Sequence, residues 1–182
     1  MKTMNVLKGS IFALLFTALM PIGMMAQDDD DKSKLQGDAD NAKSEFVKSD
    51  QLLQNLFDKS YGYVIFPNVG KGAIGVGGAA GNGILYEQGG AVGRAKMKQV
   101  TVGFQFGGQA YREVIFFESK EALDRFKGGN FELSAQASAV AVTKGASGNV
   151  KYRNGIMIFT QEKGGLMYEA SVGGQKFDYK PF

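Results

Sequence analysis

Glycine within an apolar, strand-like pattern constrains this fold more than any other feature of the sequence. The chain has 182 residues and 26 glycines, and 23 of these glycines lie from Gly62 onward, mostly between apolar residues. This is not the composition of a flexible linker. Glycine inside strands is typical of close backbone approach, bulges and sharp bends. The sequence therefore predicts an α+β, mostly β protein with a curled, glycine-rich antiparallel sheet that resembles a barrel.

An N-terminal helix is expected to precede this sheet, over residues 39–58. Apolar residues recur there at helical spacing, and Gly62 ends the pattern. The polar positions carry charges of both signs, whereas a helix that inserts into a membrane surface typically has a Lys/Arg-rich polar face. We therefore expect the helix to pack on the domain, with docking into a bilayer as the alternative. One short internal helix is predicted over 119–126, capped by Ser119.

Strands are predicted wherever apolar residues alternate or form short runs between turn residues. Pro67 is expected to end the first strand, and Asn154-Gly155 is expected to form a hairpin turn. The predicted strands cover residues 63–66, 98–106, 112–117, 131–144, 150–153, 156–160 and 166–172.

The N-terminal region has the order of a secretory signal peptide. Lys2 and Lys8 precede an apolar run over 11–20, which Pro21 ends. We predict a signal peptide at 1–26, with an uncleaved anchor as the alternative. The protein is therefore expected to be exported, either to the periplasm or outside the cell, and it can be associated with a membrane there. The acidic stretch that follows, 27–37, is interpreted as a disordered tether. The folded domain is expected to cover 38–182.

Composition excludes several classes of chemistry. The chain contains no His and no Cys, so it has no imidazole base, no thiol nucleophile and no zinc site of the usual kind. The glycines at 70–75 satisfy G-x-G-x-x-G, but those that follow would prevent the helix that a dinucleotide loop must open. We predict no cofactor, no metal and no enzyme activity.

The acidic residues of the body are scattered through the sequence without a telling spacing. A hydrolase built on two of them is the least favoured hypothesis, and a solvated surface is the expected role of each. They include Glu113, Glu118, Glu121, Asp124, Glu132, Glu162, Glu169 and Asp178.

Charge is divided unevenly between the two parts of the chain. Residues 27–58 hold nine acids and four bases, whereas residues 59–182 hold fifteen bases and nine acids. A basic body suits an anionic surface such as phospholipid headgroups, and an exported protein is not expected to meet nucleic acid. On a strand, Arg94, Lys96 and Lys98 share one face and continue into an apolar strip. We predict that they bind lipid headgroups together with Lys71; the alternative is an edge strand guarded by Lys.

A series of sequence blocks follows one order and spacing: residues 60–67, 70–78, 81–86, 103–109, 114–117, 122–126 and 165–174. Together these blocks resemble the SYLF domain over roughly residues 39–182. The resemblance implies a lipid-binding module. Eukaryotic members of the family bind phosphoinositides, and some bind actin; bacterial members are usually small exported proteins. This chain lacks the Gly-Trp-Ser-like element that members often have near 90–92, because it has no Trp.

Together these patterns favour an exported, non-enzymatic module that binds the anionic phospholipid surface of a membrane. Actin is not expected to be a partner of an exported protein, and the resemblance supplies no catalytic residues. The alternative is a structural module of the cell envelope that binds a protein partner rather than lipid.

Overall fold

A computed structural model describes residues 23–74, 76–102, 109–129, 131–134, 137–163 and 170–182, with side chains except at 23–28, 71–74, 76, 101, 102, 109, 170 and 171. The described helices are α1 (Gly23–Ser49), α2 (Leu53–Lys59) and α3 (Lys120–Lys127), with a 3-10 turn at Ala146–Asn149. The described strands are β1 (Gly62–Ile74), β2 (Val76–Glu87), β3 (Gly90–Val102), β4 (Gln109–Phe117), β5 (Phe131–Glu132), β6 (Ser138–Ala141), β7 (Ile156–Glu162), β8 (Ala170–Ser171) and β9 (Lys176–Pro181). The predicted α+β, mostly β class is confirmed.

The described strands form one curled sheet in the order β5-β9-β3-β2-β1-β4-β7-β6-β8. All its strand pairs are antiparallel except β6 with β7, which run parallel. The connection between these two strands includes the 3-10 turn, so it is long enough to bring the chain back in the same direction. The predicted antiparallel sheet is therefore correct apart from this pair.

Helices cover part of one face of the sheet, which we call the outer face. Apolar residues of α1 and α2, among them Ala42 and Phe46, pack there in a cluster with Ile65 and Phe116. The predicted packing of this helical segment on the domain is confirmed, since Phe46 is fully buried. The inner face carries a second apolar cluster that includes α3.

The helix predicted over 39–58 is divided in the structure, and Asp50 is the reason. The backbone N–H of Leu52 donates to Asp50 Oδ1 at 3.1 Å, which forms a turn instead of another helical residue. Asp50 Oδ2 accepts hydrogen bonds from the backbone N–H and the hydroxyl of Ser147, at 2.8 and 2.7 Å. A buried aspartate is thus used to end α1 and to fasten the 3-10 turn.

Residues 27–37 are helical rather than a disordered tether, because they belong to α1. Leu35 packs against the outer-face cluster, and Lys32 Nζ lies 3.8 Å from the centroid of the Phe182 ring. These tertiary contacts give the acidic segment a defined place on the domain. Residues 1–22 lie outside the described part of the chain, so the signal peptide stays a prediction.

Several predicted strand limits also differ from the structure. Pro67 does not end the first strand; β1 continues to Ile74, and the pairing register shifts between Ile65 and Asn68. An irregularity of this kind accommodates proline, which has no N–H to donate. The strand predicted over 131–144 is divided into β5 and β6, and 150–153 forms only an isolated bridge, Arg153 with Ile156.

Two glycine-related predictions are confirmed. Asn154 and Gly155 have φ angles of 51° and 78°, as a tight hairpin turn requires. A Cβ at Gly83 would lie only 2.7 Å from the ring of Phe66, so a larger residue would collide with the inner core. Close approach of backbone and side chains therefore explains this strand glycine.

Candidate functional site: a basic face on the sheet

The predicted basic row lies on one side of β3. Ala95 and Met97 are buried in the inner core, whereas Lys96 and Lys98 are exposed and Arg94 is half-buried. This is the alternation that a strand imposes, so the three bases share the outer face as predicted. β3 pairs with β2 and with β9, so it is an interior strand of the sheet. The alternative interpretation, an edge strand guarded by Lys, is wrong.

Strand β9 adds two more bases that the sequence analysis missed. Lys180 lies opposite Arg94 in the strand register, and Lys176 lies opposite Lys98. Paired residues on neighbouring strands project to the same side, so the bases form a two-strand surface. The signal was present as the alternation of Lys176 and Lys180 around Asp178, but their pairing with β3 is a long-range contact. We call the five bases Arg94, Lys96, Lys98, Lys176 and Lys180 the basic face.

Two acids reduce the charge of this surface. Asp178 lies opposite Lys96 in the register. Glu132 Oε2 is 3.4 Å from Lys176 Nζ, and both side chains are more than half exposed to solvent. Exposed pairs of this kind contribute little to stability, about 1 kcal/mol or less. Their lysines can exchange such a partner for another anion at small cost.

The acidic part of α1 borders the basic face. Asp31 and Asp38 line a cavity of about 440 Å³ together with Arg94 and Lys96. Asp29 lines a second cavity, of about 210 Å³, with Arg94 and Lys180. The helix thus brings carboxylates close to one end of the basic face. The other end, at Lys98, is not lined by α1 in either cavity.

The side chains of Lys71 and of most of the predicted apolar strip lie outside the described residues. Lys71 lies in β1 opposite Ala79, and its side chain lies outside the described residues. Val100 continues the row beyond Lys98 and is 75% exposed. The other members of the strip, residues 102, 104 and 106, have no described side chains. The structure therefore brings together three of the four predicted lipid-binding residues.

Glu113 corrects the expectation that the acids of the body are solvated. It is fully buried on the inner face of β4, and its Oε2 accepts a hydrogen bond from Gln175 Nε2 at 2.9 Å. Burial raises the pKa of Glu113 to about 7, although the bond from Gln175 lowers it somewhat. The sequence signal is parity: Glu113 has the same strand parity as Ile115 and Phe117, which line the inner core.

The surroundings of Glu113 are polar within an otherwise apolar core. Thr160 on β7 lies opposite Glu113 and is also fully buried. Glu113 Oε1 and Thr160 Oγ1 have no hydrogen-bond partner among the described residues. Buried acceptors without donors favour the protonated, neutral form of a carboxyl group. Glu113 is thus a buried acid of the core, separate from the basic face on the other side of the sheet.

The helices give one further finding about membranes. Among the residues that the structure describes, no helix combines the length and the apolar character that crossing a bilayer requires.

Comparisons with known proteins match the chain to one family over its C-terminal part. Residues 98–180 match the family described as Las17-binding protein actin regulator, which is the family of the SYLF domain. This segment contains three of the five bases of the basic face, Lys98, Lys176 and Lys180, whereas Arg94 and Lys96 precede it.

A curated relative extends the similarity further along the chain. Beta cell expansion factor A of Aeromonas veronii is 29% identical over 140 residues, which are 76% of this chain and 53% of that protein. The chain therefore spans about half the length of this relative.

Proposed function

We propose that the protein is an exported, non-enzymatic module that binds anionic phospholipid headgroups through its basic face. The match of residues 98–180 to the SYLF family supports this proposal. The family is one of binding modules rather than a known enzyme family, and it is associated with lipid binding and with the regulation of actin. Actin is not part of the proposal, because an exported protein would not meet it.

One observation carries the choice of surface. Arg94, Lys96 and Lys98 on β3 lie in register with Lys180 and Lys176 on β9, so five bases occupy one face of two neighbouring strands. A basic residue near an anionic membrane surface contributes about 1 kcal/mol of binding free energy. Five such residues, partly offset by Asp178 and Glu132, suffice for reversible binding to a membrane.

The first experiment is co-sedimentation of the purified protein with vesicles of neutral phosphatidylcholine and with vesicles that also contain phosphatidylglycerol. We expect binding to the anionic vesicles only, and we expect it to fall as salt screens the charges. Binding to neither kind of vesicle, combined with a molecular mass in light scattering that rises with concentration, would instead favour the alternative of a protein-binding module of the envelope.

Export is tested separately from lipid binding. We expect the native protein in an extracytoplasmic fraction, with a mature N-terminus at or near Gln27. Recovery of the protein in the cytoplasm with residues 1–26 intact would refute the export part of the proposal, and the vesicle experiment would be unaffected by that outcome.

A further inference from the structure

A large cavity lies away from the basic face. It has a volume of about 880 Å³ and is bordered by the C-terminal end of α3, strands β5 and β6, and the turn that precedes β7. Cavities that bind small ligands in proteins are typically about 300–1,000 Å³. None of the bases assigned above to headgroup binding lines this cavity.

The inner wall of the cavity is apolar. Leu133 and Ile158 belong to the inner-face cluster, and Met157 belongs to the outer-face cluster. Each of these three is at most 5% exposed, so the accessible apolar surface of the cavity comes from the half-buried lining residues Phe131, Ala137, Val140, Val150 and Ile156.

The rim of the cavity carries an excess of positive charge. It includes Arg125, Lys151 and Arg153, all exposed, and one acid, Glu132. That acid is already paired with Lys176 at 3.4 Å. Neither Lys151 nor Arg153 makes an ion pair with another described residue.

The position of Arg125 is fixed by the turn beside it. Its Nη2 donates to the backbone oxygen of Asn154 at 2.5 Å, on the turn that also carries Arg153. An arginine held in this way keeps its remaining N–H groups available for an anion such as phosphate, two of whose oxygens can accept hydrogen bonds from the planar guanidinium. The rim is thus partly preorganised for an anionic group.

We propose that this cavity binds an acyl chain of a single anionic phospholipid and that Arg125, Lys151 and Arg153 hold its phosphate. An apolar wall beneath a cationic rim matches an amphiphile with an apolar chain and an anionic head. A neutral lipid would not use the rim, and a soluble anion would not use the wall. This inference rests on the proposed lipid-binding function but places a second, distinct site on the molecule: the basic face contacts many headgroups, and the cavity accommodates one lipid.

The test is isothermal titration of the full protein with dioctanoyl phosphatidylglycerol below its micellar concentration. We expect saturable binding of one lipid per chain. Glycerol phosphate, which lacks the chains, and dioctanoyl phosphatidylcholine, which lacks the net charge, should each bind at least tenfold more weakly. Equal binding of glycerol phosphate would show that the apolar wall takes no part, and it would overturn the proposal.

Substitutions distinguish the cavity from the rest of the surface. Ser138 is exposed and lines the cavity, so Ser138→Trp should obstruct it and abolish the titration, whereas Ser44→Trp on the exposed side of α1 should not. Circular dichroism of both variants verifies folding. Unchanged lipid binding by folded Ser138→Trp would refute the site.

Charge reversal provides a second, milder test. Lys151→Glu with Arg153→Glu should weaken binding at least tenfold, whereas Lys48→Glu with Lys59→Glu, a control pair outside the cavity, should leave it unchanged. Equal losses in both pairs would refute the assignment of the rim.

Failure of the proposed function can be recognised separately. Reversal of Lys96 and Lys98 to Glu should reduce binding to anionic vesicles and leave the titration with the single lipid intact. If wild-type protein binds the short-chain lipid but no vesicles, the membrane-surface proposal fails and the cavity proposal stands. If it binds vesicles but not the short-chain lipid, the cavity proposal fails and the membrane-surface proposal stands.

Discussion

The outer face of the sheet has two halves with the same strand alternation, but one half is buried under helices and the other is exposed to solvent. Over β1, β2, β4 and β7 its buried side chains are apolar, and α1 and α2 pack against them. Over β3 and β9 it carries five bases, with Asp178 among them, and α1 lies beside only one end of this row. The difference teaches that alternation assigns residues to a face, whereas the covering element decides whether that face becomes core or binding surface.

The largest expected effect on stability is at Phe46, in the half of the outer face that the helices cover. Phe46 is fully buried between α1 and the sheet. We expect Phe46→Ala to lower the free energy of unfolding by about 3–5 kcal/mol, because it removes a large buried ring and leaves a cavity. Urea denaturation measures this loss. Lys98→Ala on the uncovered half should change stability by less than about 0.5 kcal/mol, and comparable losses in the two variants would contradict the contrast.

The turn that ends α1 should be the next most sensitive point. Burial alone would raise the pKa of Asp50, but hydrogen bonds from Ser147 and Leu52 outweigh it, so the pKa lies below its usual value. Its contribution to stability is therefore present above the unfolded pKa and is lost as the pH falls through the folded value. We expect Asp50→Ala to cost about 2–3 kcal/mol at pH 7, because charge-assisted hydrogen bonds and a buried contact disappear together.

The control for this prediction is Ser147→Ala, which removes only the hydroxyl donor to Asp50 and leaves the backbone donor in place. Its loss in a urea titration should be roughly half as large or less. A larger loss for Ser147→Ala than for Asp50→Ala would show that the carboxylate is not what holds the turn.

The inner face should respond to pH in the opposite sense. The folded pKa of Glu113 is raised to about 7 from 4.5, so between these values the folded state holds a proton that the unfolded state has lost. Stability is therefore greater near pH 5 than near pH 8, and it is lost as the pH rises through about 7. We expect the difference to be about 2 kcal/mol. Glu113→Gln should remove it and raise stability at pH 8.

Denaturation at several pH values checks this prediction, with Glu118→Gln as an exposed control that should keep the wild-type slope. A wild-type slope that persists in Glu113→Gln would assign the pH dependence to another group.

The smallest predicted effect concerns the acids of α1 that lie at the boundary between the covered half and the basic face. The acidic turns of α1 lie beside Arg94, with Asp29 and Asp31 lining cavities that Arg94 shares. Replacing residues 29–31 by Asn should raise the affinity for anionic vesicles about threefold at low salt, and the gain should vanish at high salt because the charges are screened. Asp58→Asn with Glu118→Gln and Glu121→Gln provides a matched control. A gain of the same size there would mean that only the net charge matters.

Local patterns predicted much of this fold. Ser119 accepts the hydrogen bond of Ala122 N and begins α3, and Asn154-Gly155 forms its turn, because both features depend on neighbouring residues alone. The basic row on β3 was also predictable, since strand parity is local. In contrast, β3 pairs with a strand far along the chain: Lys180, opposite Arg94, is 86 positions later, and Lys176, opposite Lys98, is 78 positions later. The sequence therefore did not reveal Lys176 and Lys180 as neighbours of the row.

The missed features share a physical cause. Asp50 looked like a polar helix residue, and its role depends on Ser147, 97 positions later. Glu113 looked like a surface acid because it follows Arg112, and its shared parity with Ile115 and Phe117 predicts burial only if that face of the sheet is known to be covered. The cavity bounded by α3, β5 and β6 arises from three elements that meet only in the folded chain. Long-range packing therefore decided each feature that the sequence did not predict.

The most direct test of the central claim compares two charge reversals on one chain. Lys96→Glu with Lys98→Glu alters the basic face, and Lys48→Glu with Lys59→Glu makes the same change in net charge on exposed helical positions. In co-sedimentation with anionic vesicles, the first pair should weaken binding about 30-fold, which corresponds to about 2 kcal/mol. The second pair should weaken binding less than about threefold. Equal losses in the two pairs would contradict the assignment of lipid binding to this face.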